Sequence, residues 1–179
     1  MSGPSGRDAG PLAVLIGPMA AGKTTVGRRL AALRDVPFAD LDQEIEIREG
    51  RSISAIFAAD GEAAFRAAET ATLRDLLATH PGVLALGGGA PIQPENQHLL
   101  QGHTVVLLEI DEATAARRLR GGAGRPMLAG RDPVRAWRGI REQRLPIYRG
   151  LARYLVDASA GGSDATARRI DRLLPRKGP

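Results

Sequence analysis

Five apolar residues, Leu12-Ala13-Val14-Leu15-Ile16, run directly into Gly17-Pro18-Met19-Ala20-Ala21-Gly22-Lys23-Thr24, and Thr24 to Leu33 then carries helical spacing, with Val26, Leu30 and Leu33 on one face. A buried strand that turns through a glycine loop into a helix constrains the fold more than any other stretch of this chain. The turn fits G-x-x-x-x-G-K-[ST] in full and points backbone N–H groups, with the positive end of the helix dipole, at one spot. Such a spot takes phosphate. Gly17, Ala20, Ala21 and Gly22 let the backbone approach an anion, Lys23 reaches β- and γ-phosphates, and the Thr24 hydroxyl suits Mg²⁺, with Thr25 beside it. A nucleoside triphosphate is the implied ligand, ATP being the simplest.

Four further apolar runs read as strands: Pro37 to Asp42, Gly82 to Leu86, Thr104 to Ile110 and Tyr154 to Val156. Between them lie helical stretches: Gln43 to Glu49 stopping at Gly50, a turn at Ile53 to Phe57, Glu62 to Leu77, Ala113 to Arg120, a helix capped by Asp132-Pro133 and reaching about Arg144, and Ala165 to Leu174. Alternating apolar strands and helices indicate an α/β fold, a central five-stranded parallel sheet between two helical layers. Residues 1–10 read as a flexible leader, 11–175 as a single domain and 176–179 as a flexible tail. No apolar run approaches the ~20 residues of a membrane span, and the leader has no signal-peptide core.

With 43% hydrophobic residues the chain can bury a full core, and the absence of cysteine excludes disulfides and thiolate metal sites, in keeping with a cytoplasmic protein. The net charge of +5 raises nucleic acid as a partner, but aromatics are only 3% of residues, too few for stacking platforms, and the arginines are scattered among acids. The expectation is therefore no nucleic acid, no membrane and a monomer.

Ligands of parallel α/β sheets bind at the carboxyl ends of strands. Three of those ends carry unusual residues: the phosphate loop, Asp40 with Asp42, and Gly87-Gly88-Gly89. Asp40 and Asp42 alternate along a strand end, so one can hold Mg²⁺ waters while the other faces a second substrate; equally, Asp42 can cap the helix at Gln43. The three glycines are either a plain turn or a place where backbone meets ligand. Arg66 can pair with Glu62 or Glu69, and Arg144 can complement a helix C-terminus. Arg125, among glycines in 121–131 and followed by Pro126, has the character of a mobile lid over phosphates. His80, His98 and His103 read as structural, and Trp137 as packing.

Together these residues resemble the shikimate kinase family from about Val14 to Tyr148. The matching segments are Gly17 to Thr25 with Gly27 to Leu30, Asp40-x-Asp42, Gly50 to Ile53 through Phe57, Gly61-Glu62-x-x-Phe65-Arg66-x-x-Glu69, Gly87 to Ala90, Arg125 to Leu128, and Arg144-x-Pro146-x-Tyr148. The resemblance implies a P-loop kinase fold with a mobile lid, and transfer of phosphate from ATP to the 3-hydroxyl of shikimate. It implies that Arg66 and Arg144 clamp the shikimate carboxylate and that Asp42 holds the ring hydroxyls, including the attacked one. Gly87, Gly88 and Gly89 would contact the ring, and Phe57, Phe65 and Pro126 would wall it. Lys23 and Arg125 would stabilise the transferring phosphoryl group, Thr24 and Asp40 would hold Mg²⁺, and Arg118 would lie against adenine. Ala20 stands where the family often has glycine, Leu41 where a small polar residue is common, and Met127 where leucine is usual. The nearest alternatives are a gluconate kinase, a nucleoside monophosphate kinase, which would normally carry a longer lid richer in arginine, and a nucleotide-binding module without catalysis.

Overall fold

The computed structural model describes residues 10–120 and 132–176. Five strands form one sheet: β1 (Ala13–Ile16), β2 (Phe38–Asp40), β3 (Val83–Ala85), β4 (Val105–Glu109) and β5 (Tyr154–Asp157). Their order is β2-β3-β1-β4-β5 and every pairing is parallel. β1 thus lies between β3 and β4, with Val14 opposite both Leu84 and Val105. The chain leaves β1 toward one edge and later returns past it to the other, which opens a crevice at the carboxyl end of β1.

Alternation along the strands divides the core in two. Ala13 and Leu15 face one apolar layer, completed by Val26, Leu30 and Ala31 of α1 (Lys23–Arg34) and by Ala167 and Ile170 of α7 (Gly162–Leu173). Val14 and Ile16 face the other, with Leu41 and Ile45 of α2 (Leu41–Glu49), Phe65 and Leu73 of α3 (Ile53–Thr79), and Leu100 of α4 (Pro94–Leu100). All four β1 residues are inaccessible to solvent. Helices α5 (Glu112–Arg120) and α6 (Pro133–Leu151) complete the described α-helices. None of these helices is long and apolar enough to cross a membrane.

The three-layer parallel architecture is the expected one, and several local boundaries differ. Leu33 is half exposed, because the buried stripe of α1 runs through Gly27 and Ala31 instead. The two helices expected at 53–57 and 62–77 are one element kinked at Gly61, whose φ of 81° and ψ of 178° interrupt the helix and which only glycine adopts without strain. Helix α6 continues past Arg144 to Leu151 although Pro146 removes one helical donor. Leu145, Tyr148 and Leu151 pack into the second core layer and hold the last turns in place. Helix α4, started by Pro94 after a short 3₁₀ turn over Ala90–Ile92, had no expectation; at seven residues its apolar period is too short to read.

Candidate active site

The crevice at the carboxyl end of the sheet has a volume of about 740 Å³, inside the roughly 300–1,000 Å³ usual for small-molecule sites. One end is the loop between β1 and α1. Gly22 caps α1 with φ 89°, and the first-turn N–H groups of that helix, which have no helical partners, face the loop. Lys23 folds back so that Nζ donates to the carbonyls of Gly17 and Pro18, each at 2.9 Å. Two more carbonyls of the loop are held from outside it. Trp137 Nε1 donates to Met19 O at 2.9 Å, and Arg118 Nη1 to Ala20 O at 2.8 Å, while Arg118 Nη2 donates to Ala158 O at 2.9 Å.

The Thr24 hydroxyl donates to Asp40 Oδ2 at 2.7 Å. Asp40 ends β2, and its other oxygen accepts from Asp42 N at 3.1 Å, capping α2. Asp40 keeps its place at the strand end, but Asp42, expected on the same strand, does not. Asp40 is the cap and Asp42 stands in the first helical turn, so helical geometry separates them instead of strand alternation. Thr24 and Asp40 offer two hard oxygens side by side, a pairing that fits Mg²⁺, which keeps waters and takes its remaining ligands from phosphates. Among the described residues no group of three or more His, Cys, Asp or Glu could hold a metal alone.

The other end of the crevice gathers residues far apart in sequence: Asp42 from α2, Phe57, Phe65 and Arg66 from α3, Gly87, Gly88 and Gly89 after β3, and Arg144 from α6. At Gly87 and Gly89 neighbouring side chains already crowd the place of a Cβ. A Cβ on Gly87 would lie 2.7 Å from Asp42 Oδ1, and one on Gly89 would lie 3.0 Å from Arg66 Nη1. One on Gly88 would come within 3.5 Å of Arg144 Nη1. Two guanidinium groups therefore flank neighbouring glycines, a geometry suited to a carboxylate. The Phe57 and Phe65 rings, centroids 4.7 Å apart, make an apolar wall beside them.

Arg66 makes both of its possible local pairs and also borders the crevice. It donates from Nη1 to both Glu69 oxygens, at 3.1 and 2.9 Å, and lies 3.4 Å from Glu62, yet it still lines the crevice. Glu69 is 2% exposed. Burial raises its pKa above the usual carboxylate value, opposed by the nearby Arg66 charge. Tyr148, fully buried, donates from its hydroxyl to Gly88 O at 2.6 Å; burial raises its pKa too, so it stays a donor.

Lys23, Thr24, Thr25, Ala20, Gly22, Asp40, Asp42, Phe57, Phe65, Arg66, Gly87, Gly88, Gly89, Arg118 and Arg144 all line this one crevice. Gly17 and Ala21 do not. The Ala21 methyl is turned into the core, and a Cβ on Gly17 would meet Leu108 O at 2.4 Å, so both shape the loop from behind. Arg125 and Pro126 lie outside the described residues. Glu69, Trp137 and Tyr148 are site residues that local spacing does not mark, although Trp137, Arg141, Arg144 and Tyr148 recur at i, i+4, i+7 and i+11, one helical face that the sequence does display. His80, read as structural, binds Val83 O through Nε2 at 3.2 Å.

Comparison with known proteins points the same way. The family model described as shikimate kinase matches residues 19–174. The shikimate kinase of Thermobifida fusca is 48% identical over 94% of this chain and 97% of its own. That of Mycobacterium tuberculosis is 47% identical over 89% of this chain and 91% of its own. Among solved structures, shikimate kinase from Acinetobacter baumannii in complex with shikimate superposes with a TM-score of 0.84 at 38% identity, covering 92% of each chain. A gluconokinase from Sinorhizobium meliloti, 22% identical with a TM-score of 0.59 over 94% of this chain and 95% of its own, shares the fold.

Proposed function

The chain belongs to the shikimate kinase family, and from that premise we propose that it transfers the γ-phosphoryl group of ATP to the 3-hydroxyl of shikimate, a step toward chorismate and the aromatic amino acids. The observation that carries this reading is the pair of guanidinium groups, Arg66 and Arg144, flanking Gly88 and Gly89 in the same crevice as the phosphate loop. A phosphate loop alone fits many acceptors; a loop facing a carboxylate clamp fits an acid with hydroxyls.

In this reading the shikimate carboxylate bridges Arg66 and Arg144, the fork of each guanidinium matching its two oxygens. The ring lies against Phe57 and Phe65 and over the backbone of Gly87 to Gly89. Asp42 accepts a hydrogen bond from the attacking hydroxyl and orients it toward the loop. The transition state of phosphoryl transfer is loose, so position and neutralisation supply most of the acceleration and little is asked of a base. The loop N–H groups and Lys23, swung from its carbonyl partners, meet the charge on the transferred group. Thr24 and Asp40 are the residues that would hold Mg²⁺, directly and through water. That ion would neutralise the phosphate oxygens. Arg118 borders the adenine end, where it already ties the loop to Ala158. By the family resemblance Arg125 joins Lys23 at the phosphoryl group and Pro126 closes over the ring. Residues 11–175 act as one kinase domain, monomeric and cytoplasmic, with no nucleic acid or membrane as partner.

The test is ADP release by the purified protein with MgATP and each of shikimate, gluconate and AMP. Stimulation by shikimate alone is the expected result. Turnover with gluconate or AMP and none with shikimate would retain the phosphate loop and remove the clamp assignment.

A further inference from the structure

Four consecutive carbonyls of the phosphate loop, Gly17 to Ala20, are each held by a side-chain donor: two by Lys23, one by Trp137 and one by Arg118. The Met19 carbonyl matters most, because it belongs to the same peptide unit as the Ala20 N–H. In a planar trans peptide those groups point in opposite directions. A donor that fixes Met19 O therefore also fixes where the Ala20 N–H points, away from the indole. The hold is needed, because Ala20 has φ 65°, in the left-handed region that alanine disfavours. Trp137 is well placed to supply it. It is the only tryptophan of the chain, 3% exposed, with its ring packed in the core layer around α1. Its ring also lies under the Arg141 guanidinium, 5.7 Å from the centroid.

We propose that Trp137 is a positioning residue for the nucleotide phosphates. Its indole N–H locks the Met19–Ala20 peptide so that the Ala20 N–H stays turned toward a bound phosphate and the Met19 carbonyl stays off it. Arg144 lies seven residues further along the same helix, about 10 Å of rise. Helix α6 therefore ties the loop at one point and supplies half of the carboxylate clamp at another, fixing their separation. A residue that only packs would need no donor at this position.

The inference rests on the nucleotide half of the proposed function and is independent of the acceptor. It is read from binding of MgADP by calorimetry, so failure of the shikimate assignment leaves it standing. Two replacements remove the donor: Trp137→Phe, and benzothienylalanine incorporated at this sole tryptophan, which keeps the bicyclic shape and has sulfur in place of the N–H. If Trp137→Phe does not fold, the isosteric replacement carries the test. Each is expected to weaken MgADP about threefold to tenfold, the scale of one net hydrogen bond, with the dissociation constant of shikimate changed less than about twofold. In a chain that also carries Ala20→Gly, where the left-handed conformation costs nothing, the same replacements should weaken MgADP by less than about twofold. Unchanged MgADP binding, equal weakening of both ligands, or a loss just as large with glycine at position 20 would each overturn the proposal.

Discussion

At one end of the crevice, the proposed anion-binding groups come from a single contiguous stretch, residues 17–24. At the other, Asp42, Arg66, Gly87 to Gly89 and Arg144 come from four separate elements, up to 102 positions apart in the chain, as Asp42 and Arg144 are. The first end depends on backbone conformation, the second on side chains placed by tertiary packing. A contiguous loop can be held by a few external bonds, such as those from Trp137 and Arg118. The proposed clamp, being dispersed, needs its groups held separately: Arg66 rests on buried Glu69, and Tyr148 pins Gly88 from beneath. The two ends should therefore fail differently.

The largest difference is expected from Lys23→Met. In the proposed mechanism it removes a cation from the transferring phosphoryl group, so kcat should fall by about a thousandfold or more, while shikimate binding measured by calorimetry stays near the native value. A matching loss of shikimate affinity would mean that the two ends are not separate.

Next in size is Arg66→Lys, which keeps the charge and loses the fork. KM for shikimate should rise roughly tenfold to a hundredfold, with MgADP affinity unchanged. Arg144→Lys should behave likewise, and an effect confined to MgADP would place these arginines at the wrong end.

The smallest effect concerns pH. Ionised Glu69 accepts both bonds from Arg66, and its pKa is raised above 4.5 mainly by burial. As pH falls through that raised value the carboxylate takes a proton, Arg66 loses its charged partner, and KM for shikimate should climb. Glu69→Gln should abolish this acid limb relative to the native chain. The contribution of Glu69 to fold stability has the opposite sign. It is full below 4.5 and lost as pH rises through the raised folded value, so acidification should weaken the substrate and, from this group, favour the fold. Identical acid limbs in the two proteins would exclude Glu69 as the group that holds Arg66.

The same contrast separates what could be read from sequence. The phosphate loop is legible because its chemistry, its strand and its helix adjoin, and the parallel sheet follows from five apolar runs that alternate with helices. The acceptor end is not legible from spacing alone. Asp42 and Gly87 to Gly89 each have an equally good local explanation, Arg66 and Arg144 a better one, and only resemblance to a family joins them. The structure shows why: Arg66 does make its local ion pairs and lines the crevice as well. Asp40 ends β2 as its pattern suggests, but Asp42 does not share that strand, because Leu41, which lies between them and is fully buried, reads as strand by its hydrophobicity and begins α2. Trp137 and Tyr148 were hidden for a related reason. Both are buried aromatics, and burial is sufficient cause for an aromatic; that each also aims a polar tip at a site carbonyl becomes visible only once the folds of two distant segments meet.

In the proposed mechanism one crevice holds a phosphate loop and a carboxylate clamp at a fixed separation. The most direct test compares initial rates of ADP formation with shikimate and with its methyl ester at the same concentration of MgATP. The ester retains the ring and every hydroxyl but cannot bridge Arg66 and Arg144 as an anion. Loss of kcat/KM with the ester by about a hundredfold or more, from two charge-assisted pairs, is the predicted result. Equal rates with acid and ester would contradict the clamp.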